Sequence, residues 1–409
     1  MVIIGSIKFD RVKSMKRWSN YTQAQVDILR YVFHNGTVSR AQLAEALKVS
    51  NLTVINGVKR LLQDGMLAES GTLPSERGRR VTLLTVNPEL YYFLTVDIGG
   101  GSTKLAVVRF DGSIIHREQY KRAKGHDVFT VYVTPQELRE QLERILQKFG
   151  RDKFCALCFS ISGTVDYANK KSLFCTNIQG WNDVDFRKEF GDYFNLPVYL
   201  DSAGHCAAMA ERQFGKAKGL DDLLYVSVGT SICTGIVMSG QLLRGFSGAA
   251  GEFGHIQLPD PAPLGWDCVC GKRNCLEMYT TFAMIRRQIY GKVKNTIPGW
   301  DHSTHISYEM TKELYESGHP AALEVVENAA KVLGLQIANV ANLMNPRMIV
   351  LDGGTIHTFP EMVDIVRQQV QENSMPIISR ELSVERTALG TDAPILGAAL
   401  LAIYDMLDL

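Results

Sequence analysis

The chain has 409 residues, of which 45% are hydrophobic and 21% charged, a balance typical of soluble globular proteins. Because this length exceeds what one hydrophobic core normally serves, the sequence predicts two or three domains. We find no apolar run near the roughly 18 residues of a membrane span, and no ordered signal-peptide regions at the N-terminus. These features predict a cytoplasmic protein rather than a membrane-spanning or secreted one.

The charge is distributed unevenly along the chain. The net charge is only +1, yet residues 1–85 hold 13 Lys/Arg against 6 Asp/Glu, which gives this segment +7 and leaves −6 for the remainder. A basic segment joined to a slightly acidic body indicates a head that binds a polyanion and a body with another role.

Three helices are predicted in this basic head. The first spans about residues 22–33 and ends before Asn35-Gly36. The second begins at Ser39, where Gln42 completes a capping box, and the third is capped by Ser50 and extends to about residue 63. Apolar residues recur at helical spacing in all three helices and are expected to face the core of the head. They are Val26, Ile28, Leu29, Val32 or Phe33, then Leu43, Ala44 and Leu47, then Leu52, Ile55, Val58 and Leu62.

The third helix and the segment after it predict a DNA-binding head. Two strands at about residues 67–69 and 81–85 enclose an arginine-rich loop, which is typical of a winged helix-turn-helix. Such a loop contacts phosphate or the minor groove. The alternative is a small helical domain with a solvated basic loop, or one that binds protein. The candidate DNA-binding residues are Ser50, Asn51, Thr53, Asn56 and Arg60 on the helix, and Arg77, Arg79 and Arg80 on the wing.

Beyond Pro88, strands alternate with helices, which predicts an α/β body. A β-rich run at 91–96 leads into a glycine-rich bend from Asp97 to Lys104, and a second strand follows at 105–110. Glycines between two strands can surround a phosphate with backbone N–H groups. This signal is weak by itself, since glycine-rich hairpins are common.

Further motifs follow along the body. They are residues 163–166 (GTVD), 177–181 (NIQGW), 251–255 (GEFGH), 268–277 (CVCGKRNCLE) and 345–354, which ends in two glycines. Together with residues 97–104 they resemble the ROK family of repressors, open reading frames and sugar kinases, and the resemblance covers nearly the whole chain. It implies a winged helix-turn-helix at 1–87 and a two-lobed, actin-like and hexokinase-like (ribonuclease H-like) body. The first lobe would span 88–200, with about 385–409 returning to it, and the second 201–384.

Four residues in two of these motifs have the spacing of a metal site. His255, Cys268, Cys270 and Cys275 form the pattern H-x12-C-x-C-x4-C. Three thiolates and one imidazole complete a tetrahedral zinc site with no position for water, which predicts structural Zn²⁺. The alternative is three unliganded cysteines near a buried histidine. If one nitrogen of His255 binds zinc, the other can hydrogen-bond a ligand hydroxyl.

The resemblance also implies a sugar-binding cleft. Glu252, His255 and Glu277 match family positions that contact sugar hydroxyls, a task that suits carboxylates because each accepts several hydrogen bonds. Gly163 and Asn177 match further cleft positions, and Ser202 stands where the family has a sugar-binding Asn. The alternative is that the glutamates only satisfy helix N-termini and the surroundings of the zinc.

Two family features needed for phosphoryl transfer are missing. Kinase members carry a run E-N-D-A-N-A-A-A-L-G-E whose Asp is the base, and here residues 201–211 place Ala203 at that position. Asp201 lies two residues back, on the order of 6–7 Å along a strand, too far for a base that must come within about 3 Å of its proton. The second glycine-rich loop, at 229–235, has three of its glycines replaced. The sequence therefore predicts a protein that is not an enzyme.

The sequence as a whole predicts a sugar-responsive, DNA-binding transcriptional regulator, a repressor of carbohydrate-metabolism genes without sugar kinase activity. Its partners would be operator DNA, a sugar or sugar phosphate, and further copies of the chain in a homodimer or homotetramer. One alternative is a bifunctional sugar kinase that also binds DNA. Another is a regulator signalled by a protein partner, with a vestigial sugar cleft.

Overall fold

The computed structural model describes residues 20–74, 80–121, 133–175, 178–259, 265–294 and 306–409. Arg77, Arg79 and Asn177, three of the candidate site residues, lie outside these ranges. The described N-terminal part is a winged helix-turn-helix. It consists of α1 (Gln23–Asn35), β1 (Val38–Ser39), α2 (Arg40–Leu47), α3 (Asn51–Gln63), β2 (Leu67–Leu73) and β3 (Val81–Val86), with the strands in the order β1-β3-β2.

Local hydrogen bonds start each helix of the head where the sequence predicts. Thr22 and Gln25 form a capping box at α1, and Ser39 and Gln42 form one at α2. Ser50 caps α3 by accepting a hydrogen bond from the backbone N–H of Thr53 at 3.1 Å. These caps satisfy backbone donors that a helix leaves without intrahelical partners, so they fix where each helix begins.

The sequence-based prediction of which side of α3 faces the core is wrong by part of a helical turn. Val54, Val58 and Leu61 are buried, whereas Leu52 is 66% exposed and Ile55 51% exposed. Leu62 is half-buried against the core. The cause is a close approach at Gly57, where a Cβ atom would lie 2.7 Å from Ile28 Cδ1 of α1. Because α3 rests on α1 through this glycine, Leu52 and Ile55 turn outward.

The body is the predicted α/β fold with two five-stranded sheets. The first sheet has the order β10-β7-β4-β5-β6 and the second β13-β12-β11-β14-β15. In each sheet three consecutive strands pair antiparallel, a fourth strand pairs in parallel with the first of them, and a fifth pairs in parallel with the fourth. The first sheet contains β4 (Tyr92–Ile98), β5 (Ser102–Arg109), β6 (Ile114–Lys121), β7 (Phe154–Ile161) and β10 (Val198–Ser202). The second contains β11 (Leu223–Val228), β12 (Ile232–Met238), β13 (Gln241–Leu242), β14 (Met348–Asp352) and β15 (Ser383–Arg386).

Helices cover both sheets, and a small hairpin of two strands lies beside the first. The hairpin is β8 (Thr164–Asp166) and β9 (Lys171–Phe174). The helices are α4 (Pro135–Phe149), α5 (Ala203–Phe214), α6 (Glu277–Thr280), α7 (Phe282–Val293), α8 (Tyr308–Glu316), α9 (Pro320–Met344), α10 (Gly354–Thr358), α11 (Met362–Asn373), α12 (Pro376–Ser379) and α13 (Ala393–Leu407). A π-helix occupies Arg187–Asp192, and short 3-10 helices occupy Arg151–Lys153, Phe253–His255 and Gly390–Asp392.

Two helices, α5 and α13, join the two halves of the body. α5 packs on β11 and β12 of the second sheet and on α13, which in turn packs on β4, β7 and β10 of the first. Among the described residues, the stretch Gly390–Leu407 is long and apolar enough to cross a membrane, contrary to the expectation that no run comes near this length. It is 67% buried inside the fold, as a core helix is.

Candidate ligand cleft, metal cluster and nucleic-acid face

A cleft opens where the start of α5 meets the glycine-rich segments of the body. Five of the six candidate sugar-binding residues line it, and the sixth is Asn177, which the structure does not describe. These five come from four separate stretches of chain, so the fold brings together what the sequence keeps apart. They are Gly163, Ser202, Glu252, His255 and Glu277.

Gly163 and Ser202 have local structural roles in the cleft wall. A Cβ atom at Gly163 would lie 2.6 Å from the Phe174 carbonyl oxygen and 2.7 Å from Cys175 Sγ, so the backbone there has room only for glycine. Ser202 is the N-cap of α5, and its hydroxyl accepts a hydrogen bond from the backbone N–H of His205 at 3.3 Å. Both residues would be explained by the fold even without a bound sugar.

Asp201 is held in a buried network instead of facing the cleft as a free carboxylate. Its Oδ1 lies 2.7 Å from His205 Nδ1, and its Oδ2 accepts a hydrogen bond from Arg244 Nε at 2.8 Å. Burial alone would raise the pKa of Asp201, but the hydrogen bond and charge of His205 and the charge of Arg244 lower it below its ordinary value. Asp201 therefore stays ionised and engaged. Sequence reasoning missed Arg244, which lies 43 residues away along the chain.

The segment that would cradle phosphates carries side chains into the cleft. Ser231, Ile232, Cys233 and Thr234 all line it, and the Thr234 hydroxyl donates a hydrogen bond to the Gly251 carbonyl. Backbone N–H groups approach a phosphate closely where side chains are absent, as in glycine-rich loops. Ala203 lines the same cleft and offers no acid group.

The two cleft glutamates differ in their surroundings. Glu252 is half exposed, and its Oε2 lies 3.7 Å from His255 Nε2. Glu277, the first residue of α6, is only 7% exposed, and its Oε1 lies 2.8 Å from Cys268 Sγ and 3.7 Å from His255 Nδ1. Burial raises the pKa of Glu252, although attraction to His255 opposes this. Hydrogen-bond acceptors thus converge on the cleft from both sides of His255.

The four predicted metal ligands form one cluster beside the cleft. The ligand atoms of His255, Cys268, Cys270 and Cys275 all lie within 4.8 Å of one another. Cys268 Sγ lies 3.5 Å from His255 Nδ1, and Cys270 Sγ lies 3.5 Å from Cys275 Sγ. Zinc–sulfur bonds of about 2.3 Å and zinc–nitrogen bonds of about 2.0 Å in a tetrahedron place ligand atoms at about this separation. The donor set and its spacing therefore fit a tetrahedral metal ion.

Burial raises the pKa of Cys268 and Cys275, and one contact beside the cluster opposes this at Cys275. Gln257 Nε2 donates a hydrogen bond to Cys275 Sγ at 3.0 Å, which stabilises negative charge on that sulfur. His255 turns Nδ1 toward the sulfurs and Nε2 toward Glu252 and the cleft. One imidazole thus has a nitrogen for the cluster and another for the cleft.

The described candidate DNA-binding residues occupy two positions of the head. Asn51 and Asn56 are exposed on α3, and Arg80 is exposed beside the wing strand β3. Ser50 and Thr53 are engaged in the helix cap, with their hydroxyls 2.8 Å apart. Arg60 forms an ion pair with Asp64 at 2.8 Å. Among the described candidates on α3, Asn51 and Asn56 are therefore exposed and take no part in the helix cap or in the ion pair.

Side chains of α1 and α5 connect the head to the body. Arg30 of α1 donates hydrogen bonds to the Leu407 carbonyl at 2.7 Å and the Asp408 carbonyl at 2.9 Å. At the end of α5, Gln213 Nε2 donates to the Phe33 carbonyl at 3.2 Å, and Gln213 Oε1 lies 2.9 Å from His34 Nδ1. Burial lowers the pKa of His34, so this histidine is neutral in the contact.

The chain belongs to the ROK family, whose model matches residues 93–404. It is 26% identical over 383 residues to a xylose repressor of Bacillus spizizenii, covering 93% of this chain and 95% of that protein. It is 24% identical over 377 residues to the Escherichia coli transcriptional dual regulator NagC, covering 90% of each. A Halalkalibacterium halodurans glucokinase is 27% identical over 316 residues, covering 75% of this chain and 93% of that enzyme.

Solved structures show the same fold. A ROK family transcriptional regulator, described as a homologue of the E. coli MLC protein, matches with a TM-score of 0.73 at 24% identity. The match covers 94% of this chain and 97% of that one. A ROK family glucokinase from Streptomyces griseus, solved with glucose and AMPPNP, matches with a TM-score of 0.63 but covers only 76% of this chain. The regulator thus shares the whole architecture, and the glucokinase a smaller part.

Proposed function

We propose that this protein is a sugar-responsive transcriptional regulator, a repressor of carbohydrate genes, that acts in the cytoplasm without sugar kinase activity. One observation carries the proposal. A basic winged head is joined to a cleft that keeps Glu252, His255 and Glu277, while Ala203 stands at the position of the base and Asp201 is held by Arg244 and His205. The similarity to xylose and N-acetylglucosamine repressors supports the same function.

In this proposal the cleft binds a sugar or sugar phosphate through hydrogen bonds to its hydroxyls. Glu252 and Glu277 accept from hydroxyls, and His255 presents Nε2 to the ligand, with Gly163 and Ser202 in the cleft wall. Asn177 is a further candidate contact on the sequence alone. A Zn²⁺ ion held by His255, Cys268, Cys270 and Cys275 would fix the loop that carries these residues and would supply no reactive position.

The head binds operator DNA through α3 and the wing, and it does so as a homodimer or homotetramer, because two-fold operators require paired recognition helices. α5 offers a path for the signal. Ala203, the first residue of α5, lines the cleft, and Gln213 near the other end of α5 donates a hydrogen bond to the head. A sugar changes DNA affinity only if it binds one arrangement of head and body more tightly than another.

Glu252→Gln is expected to weaken sugar binding roughly 10- to 100-fold, because a hydrogen bond to a charged acceptor contributes about 1.5–3 kcal/mol. A thermal-shift screen of free and phosphorylated sugars identifies the ligand, and titration of both proteins gives the ratio of Kd values. Glu327→Gln, an exposed change on α9, is the matched control and should bind as the unchanged protein does.

The regulatory step is tested with the same ligand. The sugar is expected to change the affinity of the full chain for a duplex selected from a random library. If no sugar that the protein binds changes this affinity, the proposal of a sugar-responsive regulator fails. If no sugar in the panel changes the Tm of the protein, a protein partner is favoured as the signal instead.

ATP-dependent phosphorylation is expected to remain at background for every hexose. Loss of a general base alone costs roughly 100- to 10,000-fold in rate, and the side chains at 231–234 remove the phosphate cradle as well. An ADP-release assay measures this directly. Hexose phosphorylation that Asp201→Asn abolishes would show instead that the chain is a kinase.

A further inference from the structure

Two large aliphatic side chains lie on the outer face of α3. Leu52 is 66% exposed and Ile55 51% exposed, and they are three residues apart, so they lie side by side on one arc of the helix. Exposed asparagines flank them in sequence, Asn51 before Leu52 and Asn56 after Ile55. Scattered exposed aliphatic residues need no explanation, but a pair at the centre of a candidate recognition face does.

We propose that Leu52 and Ile55 determine operator specificity by contacting the 5-methyl groups of thymines in the major groove. The inference rests on the proposed DNA-binding function and adds the chemistry that the helix reads. An A·T pair displays adenine N6 and N7 and the thymine methyl group in that groove. Asparagine pairs with the adenine edge, and an aliphatic side chain packs on the methyl group. The grouping of two asparagines, Asn51 and Asn56, around the aliphatic pair Leu52 and Ile55 therefore matches the groups that A·T base pairs display.

The charge around this face favours DNA over a second copy of the chain. The described residues of the head, 20–74 and 80–85, hold 6 Lys/Arg against 4 Asp/Glu, a net charge of +2, and exposed Lys48, Lys59 and Arg80 lie on or beside the helix-turn-helix. Two such faces would repel each other, whereas the phosphates of a duplex attract them. Burial of Leu52 and Ile55 against methyl groups then adds a sequence-dependent contribution to this electrostatic attraction.

The test removes thymine methyl groups one at a time. A specific duplex is selected from a random library with the full chain, and each thymine in it is replaced by deoxyuridine, which lacks only the 5-methyl group. At one or more positions the affinity of the unchanged protein is expected to fall about fourfold, because burial of one methyl group contributes about 0.8 kcal/mol. Leu52→Ala or Ile55→Ala is expected to bind the thymine duplex more weakly and to lose this response to uracil.

The controls separate specificity from folding and from charge. Leu343→Ala changes a leucine that is 85% exposed on α9 and should leave both duplexes bound as before. Leu52→Ala should keep the salt dependence of binding, because no phosphate contact is removed. Its thermal unfolding should match that of the unchanged protein, since the side chain is exposed.

Three outcomes would overturn the inference. Uracil could have no effect at any position, the response to uracil could persist in both alanine variants, or Leu52→Ala could lower the oligomeric state, which would make this face an interface between copies. These outcomes differ from failure of the proposed function itself, in which the random library yields no specific duplex.

Discussion

Gly397→Ala is expected to destabilise the body by about 3 kcal/mol or more, the upper end of what overpacking a core by one methyl group costs. A Cβ atom at Gly397 of α13 would lie 1.7 Å from the Cys206 carbonyl oxygen and 2.2 Å from its carbon. Both atoms belong to the backbone of α5, so no flexible side chain can move aside. The two helices would have to separate, and α5 would shift against the second sheet and the cleft.

Gly291→Ala is the matched control, because it makes the same change inside another helix. In the described structure no heavy atom lies within 4 Å of the Cβ position at Gly291, and the residue is exposed on α7. Replacing glycine by alanine there should stabilise the protein by roughly 0.5–1 kcal/mol. Urea unfolding followed by circular dichroism compares the two variants. Equal unfolding midpoints for Gly397→Ala and the unchanged protein would contradict the packing of α13 on α5.

Cys275→Ser is expected to abolish stoichiometric zinc binding and to disrupt the sugar cleft. Structural zinc binds isolated zinc-finger peptides with an apparent free energy of about 10–16 kcal/mol. If the free energy of zinc binding is similar here, loss of one of the four ligands removes a large part of it. Cys275 is followed directly by Leu276 and Glu277, and His255 faces both the cluster and the cleft. The loss of metal should therefore also reduce the thermal response to sugar. Metal analysis of the purified chain and the sugar titration measure the two effects.

Cys155→Ser is the control for this experiment. Cys155 is also buried, but its Sγ donates a hydrogen bond to the Tyr92 carbonyl in the first sheet, and a serine hydroxyl can do the same. This variant should retain zinc and the sugar response. Full zinc content in Cys275→Ser, or an unchanged sugar response after removal of the metal with a chelator, would contradict the role given to the cluster.

Features that depend on residues close together in the sequence could be predicted well. The caps at Ser39 and Ser50 depend on hydrogen bonds within one turn, and the ligand spacing from His255 to Cys275 lies within 21 residues. The α/β body also follows from the order of strands and helices. Local physical chemistry determines these features, so the sequence displays them directly.

Features that depend on distant contacts could not be predicted. The inward face of α3 is set by Gly57 against Ile28, and a count of apolar side chains gives a glycine no weight. The engagement of Asp201 depends on Arg244, which the fold brings across 43 residues. In both cases contacts between residues far apart in the sequence determine the orientation or partner of a side chain, and a local sequence pattern does not contain that information.

The contact between head and body bears on how freely such heads can be exchanged between relatives. Phe33 of α1 packs against Phe110, Phe214 and Tyr404 of the body, within one continuous hydrophobic cluster. A grafted head would have to bring an aromatic residue at this point and an arginine that reaches the end of α13. Chimaeras joined at residue 87 without regard to this contact would therefore expose apolar surface on both head and body. New operator specificities are better sought by changing α3 alone.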